Sequence, residues 1–177
     1  MPHFTHTDAT HTEDIYQRVA RLEAIEAIKL LKARYLTACD RKQGDVLRDC
    51  FADGPVVIDY GPVGSFNHRD QLVAIFEKIA CNDHVFDIHL GANPQIQILD
   101  ASHAQGSWGL YFFQIDAATN KMMQLAGYYD DRYQLIDGEW KIVECRFQHY
   151  SVQLMTLAEG LHKVQFAGRS LADFNWN

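Results

Sequence analysis

"FDIHLGANPQIQIL" (Phe86–Leu99) decides how the rest of the chain is read. A run of strand-forming residues, a Gly-Ala-Asn-Pro break and a second such run predict a strand, a tight turn and a second strand. His89 stands between Ile88 and Leu90, and strand alternation puts it on the opposite face from both. Two roles are open to it. It is either a core histidine with satisfied nitrogens or an acid–base group directed into a cavity.

C-terminal to this stretch, strand candidates follow one another: Phe86–Leu90, Gln95–Leu99, Ala104–Ile115, Met122–Leu135 and Trp140–Tyr150. The breaks between them, "GANP", "DASH", "DAATNK" and "IDGE", are rich in turn residues. N-terminal to it the period is helical. From Asp14, a potential cap, Ile15, Val19, Leu22, Ile25, Ile28, Leu31 and Tyr35 recur at three- and four-residue steps, with Arg18, Arg21, Lys29 and Lys32 elsewhere on the cylinder. "DVLRDCFADG" predicts a short second helix and "PVVIDYG" a short strand. "HRDQLVAIFEKIACND" predicts a third helix with Leu72, Ile75, Phe76 and Ile79 on one side. Helices followed by an antiparallel meander make an α+β layout, not a parallel βαβ one. Long curved strands against three helices can enclose a cavity.

The chain of 177 residues is long enough for one domain with a real core. Hydrophobic residues at 47% and aromatics at 12% are globular values. A net charge of −7 argues against nucleic acid or an anionic membrane as the main partner. No apolar run approaches the roughly 20 residues that span a bilayer. "MPHFTHTDATHTED" lacks a basic region followed by an apolar one, so a cytoplasmic protein is expected. Cys39, Cys50, Cys81 and Cys145 show no paired spacing and are expected to be reduced thiols. Residues 1–13 are expected to form a polar mobile tail, 14–157 the domain, and 158–177 an extension that could contact a partner. His3, His6 and His11 invite a metal reading, but their Thr- and Asp-rich surroundings offer no rigid cage.

Several residues carry chemistry. Asp40 lies four residues after Leu36, at the end of the first helix, where the helix dipole disfavours a carboxylate. It is either a solvated turn aspartate or the partner of a buried group. A histidine bonded to a carboxylate is oriented and made more basic, which suits proton abstraction near neutral pH. Tyr35 precedes Asp40 by about a turn, and Tyr60 closes the first strand. Their hydroxyls either reach water or polarise a carbonyl inside a pocket. In "GSWGLYFFQID", Trp108, Leu110 and Phe112 share one face, while Tyr111 and Phe113 share the other. The first face suits a pocket, with Phe112, Tyr128 and Phe147 as further lining. The second suits a subunit contact. Asp130–Asp131 reads as a surface acidic pair. No GxSxG, GxxxxGK[ST] or HExxH is present, so neither a cofactor nor a metal is expected.

"RLEAIEAIKLLKARYLTACDRKQGDVLRDCFADGPVVIDY", "IHLGANPQIQILDASHAQGSWGLYFF" and "YYDDRYQLIDGEWKIVECRF" together resemble the SnoaL-like branch of the nuclear-transport-factor-2-like (NTF2-like) superfamily. The most specific parts are the "KARYLTACD" helix end, the histidine before "GANPQI" and the "DxYxxxDGEWKI" hairpin. The resemblance implies a cone-shaped α+β barrel, a curved antiparallel sheet around a pocket closed by the N-terminal helices. It also implies a homo-oligomer, a trimer or dimer. Within that branch the chain is most similar to the bile acid 7α-dehydratase, scytalone dehydratase and hexachlorocyclohexane dehydrochlorinase families. There a strand histidine paired with an aspartate from the first helix removes a proton, and the matching residues are His89 and Asp40. Tyr35 and Tyr60 match the phenols of the bile acid enzymes. Phe112 stands where those enzymes carry a further aspartate, which implies a drier pocket. The expected activity is cofactor-independent elimination on a small hydrophobic cyclic or polycyclic molecule. A double-bond isomerase, a polyketide cyclase and a non-catalytic binding module remain as alternatives on the same fold.

Overall fold

The computed structural model describes residues 14–157, so the expectations for residues 1–13 and 158–177 lie outside it. Helix α1 (Ile15–Asp40) is followed by α2 (Gly44–Asp49), β1 (Pro55–Asp59), β2 (Ser65–His68) and α3 (Arg69–Ile79). The strands β3 (Val85–Ile98), β4 (His103–Asp116), β5 (Lys121–Ile136) and β6 (Glu139–Thr156) complete it. They form one curved, unclosed sheet in the order β2-β1-β6-β5-β4-β3. All neighbours are antiparallel except β1 and β6. This is the expected α+β architecture, with the helices against the concave face. Among the described residues no helix is long and apolar enough to cross a membrane.

The opening stretch departs from its expected hairpin. β3 runs unbroken through Gly-Ala-Asn-Pro and stays paired with β4 throughout. Ala92 pairs with Gly109 and Gln95 with Ser107, so three steps on β3 match two on β4. The extra residue is a β-bulge. Asn93 takes a left-handed conformation with φ 50°, which asparagine tolerates better than most residues. Pro94 has no N–H to give the ladder. The break therefore bends one strand instead of reversing the chain. The real β3–β4 turn is "DASH", where Asp100 Oδ1 accepts the N–H groups of Ser102 (2.8 Å) and His103 (2.9 Å). The tight turn of "IDGE" holds, with Asp137 and Gly138 both at positive φ.

Helix α1 differs from its expected packing in two ways. Ile15, Val19 and Leu22 are 65%, 47% and 60% exposed, so the first turns bury no apolar stripe. Burial begins at Ile28. Asp14 stands at the N-cap position, but its side chain makes no capping hydrogen bond. Lys32, placed by periodicity on the polar side, is completely buried. The deep core joins Ile28, Leu31 and Tyr35 of α1 to Phe51, Ile58, Trp108, Tyr133 and Ile142. Gly91 sets how closely α1 approaches β3, since a β-carbon there would lie 2.6 Å from Leu36 Cδ1.

Candidate active site

The concave face of the sheet leaves a cavity of about 380 Å³ under the helices. Its walls are apolar: Leu72, Ile75 and Phe76 of α3, Leu110 and Phe112 of β4, Met123, Leu125 and Tyr129 of β5, and Phe147 of β6. Such a size and lining suit a small organic ligand. Polar groups enter at a few points only. A more polar depression of about 540 Å³ crosses β3–β6, lined by Gln95, Gln97, Gln105, Asp130, Arg132 and Glu144 among others.

His89 and Asp40 meet at the cavity. His89 Nδ1 lies 2.6 Å from Asp40 Oδ1, and the His89 backbone N–H donates to the same oxygen at 3.0 Å. Two donors thus hold a carboxylate at the unfavourable end of α1, which answers the question of why it is there. The side chains are 16% and 20% exposed. With the Nδ1–H given to Asp40, Nε2 is the nitrogen left with a free lone pair. Phe112 packs on the imidazole, ring centroids 4.6 Å apart. Ile88 and Leu90 point outward, half-exposed.

Two residues along the same face of β3, Asp87 forms an ion pair with Lys42 and accepts from Gln114 Nε2 at 2.9 Å. The end of α1 and the turn after it are therefore tied to β3 twice, by Asp40 to His89 and by Lys42 to Asp87. The second tie holds the dyad in place.

The phenols form the next polar point. The Tyr35 and Tyr60 hydroxyls are 2.8 Å apart, and Tyr60 also donates to Cys145 Sγ at 3.3 Å. Tyr129 meets both rings edge-on at 6.2 and 6.3 Å. Burial holds the pKa of all three well above the usual tyrosine value, so they remain neutral. Beneath this floor lies an ion pair with no exposure at all: Lys32 Nζ bonds Asp131 Oδ2 at 2.8 Å. Tyr133 donates to the same oxygen at 2.7 Å and receives the Trp108 indole N–H at 2.9 Å. The ammonium sits 3.5 Å from the Tyr129 ring centroid and 4.8 Å from that of Tyr35, a cation–π contact with the cavity floor.

Of the residues singled out in the sequence, His89, Asp40, Tyr35, Tyr60, Phe112 and Phe147 come together at or beside the cavity. Trp108 does not line it, being spent on the Tyr133 layer below. Tyr128 is 51% exposed on the outer face, and its neighbour Tyr129 lines the wall. Pairing decides between them: Tyr129 stands opposite Trp108 and Phe147, both on the concave side. Asp131 is buried, not a surface residue. Sequence reasoning also passed over Lys32, Asp87, Tyr129 and His149, the last a further imidazole at the cavity wall. Among the described residues no group of three or more His, Cys, Asp or Glu side chains could hold a metal ion.

The SnoaL-like domain family matches residues 20–146. The chain belongs to that family. Solved structures extend the likeness to the fold. LinA superposes with a TM-score of 0.72 at 20% identity, over 83% of this chain and 97% of that one. A LinA-type3 hexachlorocyclohexane dehydrochlorinase from Novosphingobium barchaimii gives 0.71 at 19% identity, over 83% and 98%. A scytalone dehydratase-like protein from Novosphingobium aromaticivorans gives 0.71 at 18%, over 85% and 95%. At these identities the SnoaL-like chain shares the fold of those proteins.

Proposed function

We propose that this SnoaL-like protein is a cofactor-independent lyase of the dehydratase type, acting on a small hydrophobic cyclic or polycyclic molecule. The observation that carries the reading is the His89–Asp40 pair, with Nε2 left free, at the edge of an apolar cavity. His89 Nε2 takes a proton from carbon beside a carbonyl. The C–H electrons move onto the carbonyl oxygen, which receives one hydrogen bond from the phenol pair: Tyr35 turns its O–H from the Tyr60 oxygen to the substrate, while Tyr60 keeps its donation to Cys145 Sγ. The enolate then returns its electrons to form the carbon–carbon double bond. The β-hydroxyl leaves with the proton held by the His89 imidazolium, departing as water and returning His89 to its neutral form. Asp40 holds the imidazole in the required tautomer and stabilises its charged form. Two of the solved neighbours bear names of eliminating enzymes, a dehydrochlorinase and a dehydratase, which supports elimination as the reaction type.

The test uses purified protein and a panel of cyclic β-hydroxy ketones. Turnover in wild type should fall by about 10²–10⁴ in His89→Gln, the range of general acid–base assistance. Asp40→Asn should fall in the same direction. Wild-type rates in His89→Gln would sink the assignment. Were His89 to hand its proton back to the substrate, the same groups would act as a double-bond isomerase. A product lighter by one water distinguishes elimination from that outcome.

A further inference from the structure

His149 is a polar group that the reaction above does not use. It lies on β6 in the cavity wall, edge-on to Phe147 with ring centroids 4.7 Å apart. Among the described residues its ring nitrogens have no hydrogen-bond partner. The other histidines near acidic side chains (His68, His84, His89 and His103) all lie within 4.0 Å of one. A partly enclosed imidazole with both nitrogens unmatched, in a wall of Leu125, Tyr129 and Phe147, gains from any ligand oxygen placed against it.

Sheet register locates it relative to the dyad. His149 pairs with Gly127, Gly127 with Leu110, and Leu110 with Gly91, two residues from His89 on β3. The two histidines therefore occupy neighbouring levels of the cavity but are separated by β4 and β5. Three strand spacings are about 14 Å along the sheet and less across its curve. Gly127 opposite His149 helps to hold this wall open. A β-carbon there would lie 2.4 Å from both the Gln148 carbonyl oxygen and Phe147 Cζ, so a side chain would displace the Phe147 ring and the β6 backbone at Gln148.

We propose that His149 is a second recognition point, binding an oxygen substituent at the end of the ligand away from His89. This rests on the cavity being the reacting site and narrows the substrate class. The preferred ligand is a fused two- or three-ring molecule oxygenated at both ends, one oxygen serving the dyad and phenols and the other His149. A monooxygenated ring system of the same size leaves the imidazole unmatched and binds less tightly. His149 acts in binding, so its loss raises KM more than it lowers kcat.

The test is calorimetric titration of the full chain with 2-naphthol and with 2,6-dihydroxynaphthalene. Wild type should bind the diol about tenfold more tightly, the worth of one net hydrogen bond. The difference should collapse in His149→Phe and survive in part in His149→Gln, which keeps a donor and an acceptor. Equal affinities in wild type, a preference that persists in His149→Phe, or no binding of either naphthol would each overturn the proposal. Because binding is measured without turnover, a diol preference in a protein that dehydrates nothing would uphold recognition by His149 and defeat the lyase assignment. Turnover lost in His89→Gln without any diol preference would do the reverse.

Discussion

Lys32 brings its ammonium to a position with no solvent exposure, where among the described residues Asp131 and the rings of Tyr35 and Tyr129 compensate it. Removing one member of such a pair strands the other in a medium that cannot solvate it. Lys32→Met should therefore destabilise the protein by about 3–5 kcal/mol in urea unfolding. Lys32→Met combined with Asp131→Leu should recover much of that loss. If the single variant proved as stable as wild type, the pair would be structurally idle. At this scale the sequence was legible where chemistry is local. His89 and Asp40 stood out because each contradicts its immediate context, an imidazole between aliphatics and a carboxylate at a helix end. Lys32 carried no such mark, since a lysine on an amphipathic helix is ordinary until its partner 99 residues away is known. The Tyr128–Tyr129 choice had a usable signal. Tyr128, Asp130 and Arg132 share one face with two opposite charges, which marks the solvent side, while Tyr129, Asp131 and Tyr133 share the other.

Elements set the dyad's geometry through one close contact, that of α1 on β3. Gly91 leaves room for Leu36, itself only 6% exposed. Gly91→Val should cost about 1–3 kcal/mol through overpacking. It should also lower turnover, because the helix that carries Asp40 must move away from the strand that carries His89. Combining it with Leu36→Ala should give less destabilisation than the sum of the two single changes, as expected for residues in contact. Additive losses would place the strain elsewhere. Helix and strand identities were readable from period, as were the breaks whose turn residues close local hydrogen bonds. The Gly-Ala-Asn-Pro stretch was not, since its residues suit a turn and a bulge equally. Only continued pairing with β4 on both sides made it a bulge. The short β2 escaped notice because four residues give too little alternation to detect. Nor could periodicity show that burial along α1 begins only at Ile28.

For the molecule as a whole, many weak acids are buried in neutral form. Burial pushes the Cys39 thiol up to about 12 and raises Cys50 and Cys145 above their usual 9.0. It raises Tyr35, Tyr60, Tyr129 and Tyr133 above 10.0. Above those ordinary values the unfolded chain releases protons that the folded chain keeps. Stability therefore falls as pH rises, because the unfolded state then binds fewer protons. These groups contribute no slope near neutrality. The urea midpoint should begin to drop near pH 9 as the thiols ionise in the unfolded state, and more steeply above about pH 10. A midpoint constant to pH 10.5 would show that the cavity floor takes up water and ionises while folded.

The amino-acid order alone determined the α+β layout, the family likeness and, through that likeness, the expectation of a histidine–aspartate pair with two phenols. Periodicity, turn chemistry and local contradiction act over a few residues and need no partner to be seen. Tertiary structure decided which face each wall residue shows, that Lys32 and Asp131 are buried together, and that His149 shares the cavity with His89. Those facts depend on strand register and on contacts between residues far apart in the chain. A shift of one residue in that register exchanges the inside of the cavity for the outside.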